Sequence, residues 1–97
     1  MSQENIQQYV VTLRYQERGL ADLLELNSTL LAAGFTTTLN DAQGHPHELG
    51  SNNFGLITAL PSEEVQQLAR GLGERVLESA PDVDVQLWQD FYRQDRG

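Results

Sequence analysis

The stretch YVVTLRY, residues 9–15, decides the fold, because its β-branched and aromatic residues alternate as they do in a half-buried strand. Successive side chains of a strand point to opposite faces of the sheet. The alternation therefore predicts two rows, one of Tyr9, Val11, Leu13 and Tyr15, the other of Val10, Thr12 and Arg14. We interpret this stretch as the first strand.

A leucine-rich helix and a second strand follow this stretch. The leucines from Leu20 onwards recur at near-helical spacing, and Gly34 stands where a glycine commonly ends a helix. Residues 35–39, FTTTL, are strongly β-prone and predict the second strand.

The second half of the chain repeats the alternation of strands and helix. Residues 40–52 are dense in turn formers and predict a hairpin connection, and residues 53–60 predict the third strand. Ser62 is expected to cap a second helix, in which Gly71 and Gly73 indicate a bend or close packing. Residues 82–88 alternate as a fourth strand, before a polar tail with two aromatic residues.

The element order β-α-β-β-α-β predicts one α+β domain over residues 1–97, of the ferredoxin-like type, with residues 1–8 and 94–97 as frayed tails. We expect a four-stranded antiparallel sheet with two helices on one face. The predicted core comprises Val11, Leu13, Leu23, Leu24, Leu30, Leu31, Val65, Leu68, Leu72, Val85 and Leu87. The other face is expected to be bare, and its Val10, Thr12, Arg14 and Trp88 suit a dimer interface or a nucleic-acid platform.

The composition of the chain limits the kinds of molecule that it is expected to bind. The 97 residues carry a net charge of −8, and all six basic residues are arginines, so tight binding to DNA or to an anionic membrane is disfavoured. Any RNA contact would rely on a few arginines, hydrogen bonds and stacking. The chain has no cysteine, and its start, MSQENIQQ, lacks the features of a secretory signal. A cytoplasmic location is therefore expected.

Three groups of residues could carry chemistry, each with a simpler alternative. The pair His45 and His47 could transfer protons or hold a metal weakly, or could be ordinary polar residues of an exposed hairpin. Arg14 could contact a phosphate, or could pair with an acidic residue on a neighbouring strand. The carboxylates could bind Mg²⁺ or simply be solvated; they are Asp41, Asp82, Asp84 and Asp90.

Two stretches resemble a known family. They are residues 9–35 and residues 40–60, NDAQGHPHELGSNNFGLITAL, with further similarity at PDVD, residues 81–84, and FYRQ, residues 91–94. The order of these segments resembles that of the GhoS family, the endoribonuclease antitoxins of type V toxin–antitoxin pairs. The similarity is nearly free of gaps over residues 9–94.

The resemblance implies a ferredoxin-like fold, related to small CRISPR-associated nucleases that pair through such sheets, and hence a possible homodimer through the open sheet face. It also implies cleavage of single-stranded RNA, the messenger RNA of a small membrane-active toxin. The family has arginines at the positions of Asn27 and His47 in this chain. Phe54 matches the family, and could stack on a base or fill the core.

We therefore expect Arg14 to meet phosphate charge and His47 to shuttle a proton, since imidazole titrates near neutrality and guanidinium does not. RNA binding is expected at Arg14, Asn27 and Phe54, without a metal or cofactor. The alternative function is a non-catalytic ferredoxin-like module that binds a regulatory ligand or partner. The acidity of the chain and the two replaced arginines favour this alternative.

Overall fold

The computed structural model describes residues 6–16 and 18–96, and the side chains of these residues apart from 94–96. The predicted fraying of residues 1–5 and 97 lies outside this range, whereas residues 7 and 8 belong to the first strand and residues 94–96 to the last helix. The elements in chain order are β1 (Gln7–Arg14), α1 (Leu20–Ala32), β2 (Thr38–Asn40), β3 (Pro46–Glu48), β4 (Asn53–Thr58), α2 (Ser62–Leu77), β5 (Asp82–Leu87) and α3 (Trp88–Arg96).

The fold is α+β, as predicted, but its central sheet has three strands rather than four. The order is β4-β1-β5, and both pairs are antiparallel. The predicted second strand, residues 35–39, contacts this sheet through a single bridge between Thr36 and Gly55. Beyond that bridge, β2 pairs with β3 in a separate hairpin, with Leu39 opposite His47.

Gly55 explains why the chain leaves the sheet after Thr36. A side chain on Gly55 would lie 2.7 Å from Cγ of Leu39, so the missing Cβ provides the space that Leu39 occupies. Gly in a strand commonly marks such a close approach. Leu39 becomes 3% exposed there, and this burial favours a hairpin folded over the sheet instead of a fourth strand beside it.

The helices α1 and α2 pack on one face of the sheet, as predicted. The core between them includes Val11, Leu13, Leu26, Leu30, Val65 and Ala69. Three predicted core residues are exposed instead: Leu24, Leu31 and Leu68. In α1 the leucines surround the helix, so spacing alone did not distinguish the buried side; Leu26, outside the predicted core, is fully buried.

The second face of the sheet is not bare, which corrects the prediction of an open platform. Val10 is fully buried and Trp88 is 8% exposed, because the β2–β3 hairpin and α3 cover them. Trp88 begins α3 instead of ending a strand, and Phe91 and Tyr92 lie on the same side of that helix. The two ends of this face, at Gln8 with Ile57 and at Arg14, stay exposed, so a homodimer through the whole face loses its expected surface.

The N-terminal end of α2 and its two glycines differ in part from what the sequence predicts. Pro61, and not Ser62, is the N-cap of α2, and no side chain caps this end. A Cβ on Gly73 would lie 2.8 Å from Cγ of Pro81, so close packing explains this glycine, whereas Gly71 faces open space. None of the helices in residues 6–16 and 18–96 has the length and apolarity that a membrane span requires.

Candidate functional site

The turn of the β2–β3 hairpin is organised by one carboxylate. Oδ1 of Asp41 accepts hydrogen bonds of 2.9 Å from the backbone N–H groups of Gln43 and His45. The backbone of Asp41 donates to the carbonyl of His45 and accepts from Gly44, which has a φ of 83° that favours glycine. Asp41 therefore fixes the path of the chain into β3.

The other oxygen of Asp41 binds His47. Nε2 of His47 lies 2.9 Å from Oδ2 of Asp41, and the two side chains are 34% and 12% exposed. This hydrogen bond, assisted by those from the backbone of His45 and Gln43, lowers the pKa of Asp41 to about 2. Asp41 is therefore ionised at neutral pH and orients the imidazole.

Aromatic rings of α3 complete the surroundings of His47. The imidazole and the Tyr92 ring form a T-shaped pair with centroids 4.9 Å apart, and the centroid of the Trp88 ring is 5.9 Å from that of the imidazole. Nε1 of Trp88 donates to the carbonyl of Asn40 at 2.9 Å, which ties α3 to the hairpin. We call Asp41, His47, Trp88 and Tyr92 the His47 cluster.

The His47 cluster has the components of a proton-transfer site. When Nε2–H donates to the ionised Asp41, the neutral imidazole carries its lone pair on Nδ1. A carboxylate that holds a histidine in one tautomer is the arrangement found in general bases. The simpler alternative was that His47 is an ordinary polar residue of an exposed hairpin. That alternative does not account for an imidazole ring packed between a carboxylate and two aromatic rings.

Arg14 lies in a different part of the molecule. Its guanidinium forms an ion pair with Asp84 of β5, which confirms the alternative that Arg14 pairs with an acidic residue on a neighbouring strand. Both side chains are more than half exposed. Gln8, at the other end of β1, borders the same cavity as Trp88, and Arg14 is six residues further on, roughly 20 Å along the strand. The ion pair of Arg14 is with Asp84 and not with a member of the His47 cluster.

The two other predicted RNA-binding residues lie together. Asn27 and Phe54 line one shallow pocket of about 120 Å³ between α1 and the loop before β4. Asn27 is half-buried at its wall, and Phe54, 2% exposed, fills the main core, the second of the two roles considered for it. The pocket is close to the Arg14 end of β1, since Thr12 pairs with Asn53.

Sequence reasoning did not place three residues around His47: Asp41 as its partner, and Trp88 and Tyr92 as its packing. A signal was present, because Trp88, Phe91 and Tyr92 have the i, i+3, i+4 spacing of a helix face. In residues 6–16 and 18–96, no group of three or more acidic, histidine or cysteine side chains is arranged as metal ligands would be.

The sequence is similar to a known protein family and to known proteins. Residues 1–94 match the family model described as "Endoribonuclease GhoS". The chain is also 34% identical over 91 residues to "Uncharacterized protein YdiZ" of Escherichia coli (strain K12), which covers 94% of this chain and 95% of that protein. The protein of the same name from Escherichia coli O157:H7 matches equally well.

Proposed function

Since this chain belongs to the GhoS endoribonuclease family, we propose that it cleaves single-stranded RNA at the His47 cluster. The observation that carries the proposal is the hydrogen bond between Nε2 of His47 and the ionised Asp41. We further propose that the substrate is the messenger RNA of a small membrane-active toxin, so that the protein acts as an antitoxin. This last step rests on the family resemblance. The three-stranded sheet with its one-bridge fourth strand suits a reduced ferredoxin-like domain.

In the proposed cleavage, His47 carries the proton transfer. Nδ1 of His47 takes the proton of a 2′-hydroxyl, whose oxygen forms a bond to the adjacent phosphorus while the bond from phosphorus to the 5′-oxygen breaks. His47 then returns the proton to the departing 5′-oxygen, which leaves a 2′,3′-cyclic phosphate. Asp41 acts as a positioning residue, because it holds the proton on Nε2 and stabilises the imidazolium.

Phosphate charge would be met by two exposed arginines. Arg93 follows Tyr92 on α3 and forms only a 3.3 Å ion pair with Asp90, with its side chain 74% exposed. Such surface pairs contribute little and can be exchanged for a phosphate. Arg14 would contact a phosphate further along the strand, and Asn27 would contact RNA near that end of the sheet.

A transcript-cleavage assay on His47→Gln tests the proposal, because glutamine can still donate a hydrogen bond to Asp41 and keep the hairpin in place. We expect a loss of about 10²–10⁴-fold in cleavage rate, the usual contribution of a general acid–base group. The matched control is His45→Gln, two residues away on the same hairpin and 76% exposed. Cleavage by His47→Gln at the wild-type rate between pH 5 and 8 would exclude His47 as the proton shuttle.

The second candidate is a non-catalytic module, favoured by the pairing of Arg14, Arg18 and Arg93 with aspartates in an acidic chain. A wild-type protein that binds the toxin transcript without cutting it would support this candidate. Cutting that is lost in His47→Gln but kept in His45→Gln would exclude it.

A further inference from the structure

A groove runs beside the His47 cluster along the start of α3. Two cavities, of about 190 and 340 Å³, share Gln8, Trp88 and Gln89 in their walls. Because they share these residues, the two cavities are adjacent, and we call them together the Trp88 groove. The larger cavity also reaches Gln43 and Tyr92.

Three neutral carboxamides border the Trp88 groove. The side chains of Gln8, Gln43 and Gln89 form no hydrogen bond among the described residues, whereas Gln66 on α2 donates its amide to the carbonyl of Val83. Each carboxamide offers two donor hydrogens and one acceptor oxygen. These groups match the edge of a base and not the charge of a phosphate.

The charges around the Trp88 groove agree with this assignment. The charged residue in its wall is Asp41, an anion already occupied by His47 and the hairpin turn. An anion there repels a phosphate but tolerates a neutral base. Arg93 lies one helical turn after Gln89, on the same side of α3, where it can meet the phosphate outside the groove.

The apolar surface of the groove suits a flat ring. Trp88, 8% exposed, forms the floor, and the half-buried Tyr92 forms one wall. Pockets for small molecules combine such apolar walls with a few placed polar groups, and proteins that read RNA commonly stack unpaired bases on aromatic side chains.

We propose that the Trp88 groove holds one unpaired nucleobase of single-stranded RNA, recognised by Gln8 and Gln89 and placed beside His47. The inference deepens the proposed function and rests on it for the nature of the ligand. It makes the groove the element that sets which nucleotide is next to the cleaved bond. Affinity then comes from the base more than from the phosphates.

Binding of labelled 2′-O-methyl RNA octamers tests this inference separately from cleavage, because a 2′-O-methyl group removes the attacking hydroxyl. The probes are an octamer of A, one of C, one of U, and an octamer of abasic residues with the same phosphates. We expect at least one base-containing octamer to bind about tenfold more tightly than the abasic octamer. Gln8→Ala with Gln89→Ala should abolish this difference, since two neutral hydrogen bonds account for about tenfold.

One variant acts as a control. Gln67→Ala, at an exposed carboxamide on α2, should keep the base-dependent binding. Emission of Trp88 confirms that α3 remains docked in every variant. Equal binding of the abasic octamer, or unchanged binding by the double glutamine variant, would overturn the inference. Base-dependent binding by a protein that cuts no RNA would uphold the groove while refuting the proposed cleavage.

Discussion

The two faces of the central sheet are covered in different ways. On the helix face, α1 and α2, of 13 and 16 residues, bury one large cluster around Val11 and Leu30. On the other face, which we call the hairpin face, two three-residue strands and a nine-residue helix bury a smaller cluster of Val10, Leu39, Leu49 and Trp88. The His47 cluster lies entirely on the hairpin face. Stability and function are therefore concentrated on opposite sides of the same three strands.

The largest expected effect on stability comes from shortening a buried leucine, and we compare one leucine from each face of the sheet. Leu26→Ala on the helix face should lower the free energy of unfolding by about 2–5 kcal/mol, because a fully buried side chain leaves a cavity. Leu39→Ala should cost less, since the hairpin face can collapse or open locally. Urea unfolding followed by circular dichroism measures both, and the control Leu24→Ala, 56% exposed, should change stability by less than about 0.5 kcal/mol. A greater loss for Leu39→Ala would reverse the ranking of the two faces.

Gly55→Ala should separate the hairpin from the sheet. The new methyl group would lie 2.7 Å from Cγ of Leu39, and overpacking of this kind costs about 1–3 kcal/mol. Trp88 is the only tryptophan, so its emission should shift to longer wavelength while circular dichroism changes little. Adding Leu39→Ala should restore part of the loss. Unchanged emission in Gly55→Ala would show that Leu39 does not depend on this glycine.

Much of the helix face could be predicted from sequence, because its periodic patterns are local. The alternation of residues 9–15 and the apolar face of α2 are each visible within one segment. The hairpin face could not be predicted in the same way. Its packing joins Leu39, Gly55 and Trp88 from three distant segments, and no pattern within any one of them indicates the others.

The candidate site was predictable in part for the same reason. His47 stood out as a residue type suited to proton transfer, and the similarity of residues 40–60 to the GhoS family drew attention to its hairpin. Its partner Asp41 lies six positions earlier, and only the turn geometry brings the two together. The end of β5 at Leu87 was missed because Trp88 is itself a β-prone residue, although it starts a helix.

Acid should release the hairpin face before it affects the helix face. The pKa of Asp41 falls from its ordinary 3.8 to about 2, so ionised Asp41 contributes its full stabilisation above about pH 4. That contribution is lost as the pH falls through about 2. We expect Trp88 emission to change between about pH 4 and 2, and this change to be absent in Asp41→Asn. An identical acid transition in Asp41→Asn would remove Asp41 as its cause; Asp84→Asn is the matched control.

Two glycines of α2 should respond in opposite directions. Gly71→Ala should stabilise the protein by up to about 1 kcal/mol, because alanine is the better helix former and open space surrounds the position. Gly73→Ala should destabilise it, because the new Cβ would lie 2.8 Å from Cγ of Pro81. Thermal unfolding of both variants gives the two signs. Stabilisation by Gly73→Ala would mean that α2 is less tightly packed on Pro81 than the structure has it.

The smallest effect is expected at the Arg14 end of the hairpin face. Arg14 and Asp84 form an ion pair with more than half of each side chain in solvent, so a double-mutant cycle of Arg14→Ala and Asp84→Ala should give no more than about 1 kcal/mol. That interaction should weaken as salt is raised from 0.01 to about 1 M, because exposed charges are screened. A weak pair leaves Arg14 available to a phosphate. Arg14→Ala should then lower the free energy of RNA binding by more than it lowers the free energy of unfolding. An interaction well above 1 kcal/mol that persists in high salt would instead make Arg14 part of the framework of the sheet, and would leave Arg93 as the arginine to test for phosphate contact.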